Sequence, residues 1–183
     1  MEALREAMKK VQDESRYEHT LAVAYTAACL ASVHGGDITK ALRAGLLHDC
    51  AKCIAPDRQL ALCEKYHITI SEVERRNPFL LHGKLGARLA QEIYQERDED
   101  VLNAVRNHTT GRPEMSLLEK IIFVADYMEP GRNKASGLPE IRRLSFTDLD
   151  SAMVQILQDT LVYLKNTGQE IDPATQETLN YYK

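Results

Sequence analysis

Two aspartates stand at the ends of apolar runs, where a folded chain would bury them. Asp49 follows Ala44-Gly45-Leu46-Leu47-His48, and Asp126 follows Ile121-Ile122-Phe123-Val124-Ala125. An ionised carboxylate left unpaired in such surroundings is costly, or it protonates. A metal ion or a cationic partner removes that cost. Histidines are spaced to supply the rest of a site. His19, His48, His82 and His108 fall on separate helical segments or at their ends, at intervals of 29, 34 and 26 residues, with 18 more to Asp126. Each interval lets the chain leave one helix end and return to the same level of a helical stack. Imidazoles and carboxylates converging in a bundle make a site for Zn, Mn or Fe.

The segments that carry these residues read as helices. There is no regular alternation over strand lengths, and Gly (9) and Pro (6) are few. Ser15 stands before the run from Tyr17 to His34, and Gly35-Gly36 stops it as a C′ glycine does. Asp37 caps the next helix. Ser71-Glu72-Val73-Glu74 and Ser116-Leu117-Leu118-Glu119 fit the capping box, and Asp172-Pro173 is an N-cap followed by proline at N1. Helices are predicted over Glu2–Val11, Arg16–His34, Ile38–Cys50, Arg58–Tyr66, Glu72–Arg76, Gly83–Glu96, Asp98–His108, Leu117–Glu129, Glu140–Leu144, Leu149–Asn166 and Ala174–Tyr182. The expected fold class is all-α, a compact helical bundle. Pro130–Pro139 reads as a surface loop within one domain spanning 1–183, because the apolar stripe after it (Leu149, Met153, Ile156, Leu157, Leu161, Leu164) needs a partner. That stripe, or Tyr181-Tyr182 at the end of the last helix, serves either the core or a homodimer interface.

Composition narrows the function. With 27 acidic and 23 basic residues the net charge is -4, which argues against a nucleic-acid binder. No apolar run reaches the ~18 residues of a membrane span. Met1-Glu2-Ala3-Leu4-Arg5-Glu6 is charged and amphipathic, unlike a secretory signal, so a cytoplasmic location is expected. Cys29, Cys50, Cys53 and Cys63 then read as reduced thiols. Cys50-Ala51-Lys52-Cys53 lacks the βαβ context of a redox motif and reads as packing. His34 and His67 read as structural. The six remaining candidates, His19, His48, Asp49, His82, His108 and Asp126, exceed the three or four ligands of one zinc. They suit two metals, with Asp49 bridging through its two oxygens.

The ordered set His19…His48-Asp49…Asp126 matches the motif of the HD-domain metal-dependent phosphohydrolases. More narrowly, the chain resembles the bacterial YqeK family. The resemblance is carried by Arg16-Tyr17-Glu18-His19-Thr20, Gly45-Leu46-Leu47-His48-Asp49-Cys50-Ala51-Lys52, Leu81-His82-Gly83, Asn107-His108-Thr109-Thr110-Gly111, and Ala125-Asp126-Tyr127-Met128-Glu129-Pro130-Gly131-Arg132. Phe146-Thr147-Asp148-Leu149-Asp150 also fits. The resemblance implies an HD domain with N- and C-terminal helical extensions. It also implies symmetrical bis(5′-nucleosyl)-tetraphosphatase activity: diadenosine tetraphosphate, or a related dinucleoside tetraphosphate, is cut into two nucleoside diphosphates at a binuclear centre, with iron the expected metal and Mn or another divalent ion the alternative. By the same resemblance, His19, His48, Asp49 and Asp126 surround one ion, and Asp49, His82 and His108 the other. The nucleophile is then a metal-bound hydroxide.

Phosphate needs positive charge from an acidic chain. By analogy, Lys52 and Arg132 act with Asp49 in catalysis and contact substrate, Arg132 through its planar fork. Gly131 lets that loop approach the site. Arg16, three residues before His19 on the same helix face, binds substrate or pairs with an acid. Thr109, beside His108, donates to a phosphate oxygen. The rivals are another HD-domain phosphohydrolase acting on a nucleoside diphosphate, a dNTP or an alarmone, and a nucleotide- or metal-sensing module without turnover.

Overall fold

The computed structural model describes residues 1–135 and 137–183; Ser136, in the expected Pro130–Pro139 loop, lies outside the described residues. The helices are α1 (Glu2–Val11), α2 (Glu14–His34), α3 (Ile38–Leu47), α4 (Pro56–Lys65), α5 (Glu72–Arg76), α6 (His82–Glu92), α7 (Glu99–Asn107), α8 (Leu117–Met128), α9 (Leu138–Ser145), α10 (Leu149–Asn166) and α11 (Pro173–Tyr182), with a 3-10 helix at Pro78–Leu81. No strand occurs among the described residues, so the all-α expectation holds. Among the described residues, no helix is long and apolar enough to cross a membrane.

Most caps form where the sequence puts them. Ser71 and Ser116 complete capping boxes with Glu74 and Glu119, and Asp37 accepts from the Lys40 amide. Asp172 caps Pro173 at N1. Gly35 closes α2 in the left-handed conformation at φ 72°. Asp13, two residues before Ser15, is the side chain that caps α2, accepting from the Arg16 amide.

Two predicted helices end three or four residues early. α3 stops at Leu47 instead of Cys50, and residues 48–54 continue as tight turns. Lys52 lies within these turns. α6 stops at Glu92 instead of Glu96, and Gln95 takes a left-handed φ of 58°.

α2 packs along α3 and crosses α8, while α6, α7 and α8 pack in sequence. Leu30, Leu47, Leu85, Val105, Ile121 and Ile122 fill the space between them. Two glycines permit the closest approaches. A Cβ on Gly45 would lie 2.5 Å from Ala24 Cα, and one on Gly83 would lie 2.7 Å from the Arg106 carbonyl oxygen. Gly45 thus brings the end of α3, with His48, against α2 and His19. Gly83 brings the start of α6, with His82, against α7 and His108. The α10 stripe is core: Met153, Ile156 and Leu157 are buried against α8, α9 and α11. Tyr182 also turns inward, its hydroxyl oxygen accepting from the Met115 amide at 2.6 Å, while Tyr181 is exposed.

Gly45→Ala forces helix backbones apart. It is expected to destabilise the fold by roughly 1–3 kcal/mol, read as a lower urea midpoint. An unchanged midpoint would show that α2 and α3 do not need that contact.

Candidate metal centre

Three of the four expected histidine ligands occupy helix ends. His48 follows α3, His82 follows the 3-10 helix, and His108 follows α7, each as the C-cap. A helix leaves its last carbonyls without an intrahelical donor. The imidazoles use them: Nδ1 of His48 meets the Gly45 carbonyl at 2.7 Å, Nδ1 of His108 meets the Val105 carbonyl at 2.7 Å, and Nδ1 of His82 meets the Phe79 carbonyl. A carbonyl only accepts, so Nδ1 carries the proton and the Nε2 lone pair points into the bundle. His19 lies inside α2, and its Nδ1 is met by the Glu129 carboxylate at 3.2 Å.

The four Nε2 atoms converge on Asp49. Asp49 Oδ2 lies 3.4 Å from His48 Nε2 and 3.9 Å from His19 Nε2. Asp49 Oδ1 lies 3.4 Å from His82 Nε2 and 3.7 Å from His108 Nε2. Asp126 Oδ1 completes the first group, 3.0 Å from His19 Nε2 and 4.0 Å from His48 Nε2. All six residues named from sequence are therefore brought together, in two groups that share one carboxylate.

This donor set fits divalent metal. His19 Nε2, His48 Nε2 and Asp49 Oδ1 are buried with no hydrogen-bond partner among the described residues. Buried polar atoms are rarely left so. His82 Nε2 and His108 Nε2 face each other at 3.1 Å. Both nitrogens carry lone pairs, a repulsive pairing that a shared cation relieves.

The electrostatics agree. Burial pushes Asp49 and Asp126 up, but the neighbouring imidazoles outweigh it and hold both below the usual carboxylate range. Burial likewise pushes His48 down, while Asp49 and Asp126 prevail and raise it. The cluster thus favours positive charge at its centre. Burial, with help from His108 and Lys52, takes His82 down to about 3, so its imidazole is neutral at physiological pH and free to ligate.

The expected phosphate contacts ring this cluster. Arg16 Nη1 donates to Asp49 Oδ2 at 2.7 Å. Arg132 Nη2 donates to Asp126 Oδ1 at 2.9 Å and Nε to the Asp126 carbonyl at 3.1 Å. Lys52 Nζ lies 3.3 and 3.4 Å from the His82 ring nitrogens, and Thr109 Oγ1 lies 3.4 Å from the Nε2 atoms of His82 and His108. Cys50 is buried against the Gly86 carbonyl, and burial pushes its thiol up to about 12, consistent with packing. His34 holds the Ser145 carbonyl at 2.7 Å, a structural contact as expected.

Three supporting residues were not assigned from sequence. Glu129 is buried, orients His19 and accepts from the Gly131 amide. Its position three residues after Asp126 was the available signal. Arg142 donates to the carbonyls of Met128, Glu129 and Arg132, pinning the loop that carries Glu129 and Arg132. Gln12 donates to the Asp49 carbonyl at 3.2 Å. Nothing in the local sequence marks either.

Residues 16–131 match the HD domain family. The chain is 41% identical over 176 residues to a symmetrical bis(5′-nucleosyl)-tetraphosphatase of Bacillus subtilis, covering 95% of this chain and 92% of that protein. It is 34% identical over 184 residues to a protein of the same name from Staphylococcus aureus, covering 100% and 94%. Its fold matches the crystal structure of a predicted HD superfamily hydrolase involved in NAD metabolism from Clostridium acetobutylicum. The TM-score is 0.96 at 39% identity, over 99% of this chain and 95% of that one.

Asp49→Ala is expected to abolish metal retention, measured as bound metal per chain after dialysis. Stoichiometric metal in that variant would exclude Asp49 as the shared ligand. Glu129→Ala is expected to weaken metal binding about 10–100-fold in chelator competition. Glu129→Gln, which still accepts from His19, should recover part of that loss.

Proposed function

The chain belongs to the HD-domain family, and from that premise we propose that it hydrolyses diadenosine tetraphosphate at its centre to give two ADP. The observation that carries this reading is the near full-length similarity to two symmetrical bis(5′-nucleosyl)-tetraphosphatases. The site supports it, because Asp49 turns one oxygen to each of two imidazole groups. His19, His48, Asp49 and Asp126 would hold one divalent ion, and Asp49, His82 and His108 a second. Iron is our choice of metal, and mixed nitrogen and oxygen donors suit it. When bound, such ions supply Lewis acidity toward water and phosphoryl oxygens.

The remaining work falls to the protein. Water adds to one of the two central phosphorus atoms, and the bond from that atom to the bridging oxygen breaks. The departing ADP takes the bridging oxygen, and the other ADP keeps the oxygen of water. Arg132 brings its guanidinium beside Asp126, where Nε and Nη2 are already fixed. Fixed geometry of this kind lowers the cost of binding a phosphoryl group bidentately. Lys52 and Thr109 place a cation and a hydroxyl beside His82 and His108. Arg16 holds the Asp49 carboxylate, with part of its side chain open to solvent and to a phosphate.

We read 1–183 as one HD domain with helical extensions. Met8 and Leu179, outside the matched span, are both buried in the shared core. The net charge of -4 supports a reading without nucleic-acid binding, and four free thiols support a cytoplasmic one.

Anion-exchange analysis of the anaerobic, Fe(II)-loaded protein with diadenosine tetraphosphate tests the reading. ADP as sole product is expected. AMP plus ATP would overturn symmetrical cleavage, and no turnover would overturn the substrate. Arg132→Ala should keep its metal and raise KM about tenfold, the scale of one lost charge-assisted hydrogen bond. A wild-type KM would remove Arg132 from the phosphate site.

A further inference from the structure

A groove of about 680 Å³ opens at Asp126 and runs between the C-terminal end of α8, the loop after it and α10. Asp126 and Arg132 belong to the metal centre, so the groove is continuous with it. Tyr127, Lys134, Asp159 and Tyr163 also line it and take no part in the centre. Tyr163 is 59% exposed, which leaves its ring available to a ligand. Lys134 is exposed in the loop. Asp159 Oδ1 accepts from Gln155 at 2.8 Å, while its Oδ2 is buried without a hydrogen-bond partner among the described residues.

A dinucleoside tetraphosphate cut at its middle carries a nucleoside on each side of the scissile bond. With that bond at the centre, two arms must leave it in different directions. The centre has two flanks that each carry a cation: Lys52, with the Thr109 hydroxyl, beside His82 and His108, and Arg132 beside Asp126. The groove leads away from the second flank, and its volume lies in the range of small-molecule pockets, about 300–1,000 Å³. We propose that it holds the nucleoside of one arm. This rests on the functional reading above. Tyr163 stacks the base, and Lys134 faces the phosphate next to the ribose. Base–aromatic stacking and a charge-assisted hydrogen bond together reach the scale of a tenfold affinity difference or more.

The test compares two ligands on the metal-loaded protein by calorimetry. One is a dinucleoside tetraphosphate with a methylene group replacing its central bridging oxygen. The other is adenosine 5′-tetraphosphate, which has one nucleoside. Wild type should prefer the first. The double variant Lys134→Ala/Tyr163→Ala should lose about tenfold of that preference. Tyr163→Leu, a single change at an exposed position suited to the case where the double variant fails to fold, should lose several-fold. Variants that keep the wild-type preference, in a protein whose wild type cleaves diadenosine tetraphosphate, would overturn the groove assignment alone. A wild type that neither cleaves that substrate nor prefers the two-nucleoside ligand would overturn the functional reading, and the groove with it.

Discussion

Asp49 is almost fully buried, and each of its carboxylate oxygens faces a different pair of imidazoles. A carboxylate in that position is tolerable only if several positive or polarised groups are held around it at once. The packing meets that demand. Gly45 allows α2 and α3 to touch, Gly83 allows α6 and α7 to touch, and each contact brings together the imidazole pair that faces one of the two Asp49 oxygens. Arg16 supplies one permanent positive charge to Oδ2, and the residual need is what two cations between imidazole groups would fill. The core leucines and isoleucines stabilise the bundle, but the carboxylate decides where the helix ends must meet.

The ligands are oriented in two ways, and the difference follows from position along a helix. At a C-terminus the carbonyl three residues back is free, so His48, His82 and His108 each use one and need no outside help. His19 sits inside α2, in its second turn, where the ladder of the helix already takes the nearby carbonyls. Its orientation has to come from another element, and Glu129 provides it across 110 residues of sequence. Glu129 in turn is fixed by the Gly131 amide, and Arg142 ties down the surrounding loop through three carbonyls. One ligand inside a helix therefore accounts for a supporting structure that the other three do not require.

This contrast also explains what the sequence made legible. Capping residues act over three or four positions, so Ser71, Ser116, Asp37 and Asp172 marked their helices correctly. The six clustered His and Asp residues stood out because their types are unusual beside apolar runs. Glu129 and Arg142 act through contacts between distant segments, and a glutamate or arginine near a loop looks like ordinary surface. The end of α3 at Leu47 was missed for a similar reason. Nothing in Leu47-His48-Asp49-Cys50 breaks a helix; the turns there turn Asp49 and Lys52 toward partners on other elements.

An acidic chain that acts on a polyphosphate needs its charge placed rather than abundant. At physiological ionic strength exposed charges are largely screened beyond roughly 8 Å, so the net charge of -4 says little about the site. Arg16, Lys52 and Arg132 all lie within 3.4 Å of atoms of the metal-centre residues, and each is held there by the same groups that a metal would engage. The anion-binding surface and the metal site are therefore not independent. Any change that collapses the carboxylate cluster also releases the arginines that depend on it. The dependence runs one way: removing Arg132 alone leaves the Asp126 carboxylate in place, whereas removing the carboxylate frees the arginine.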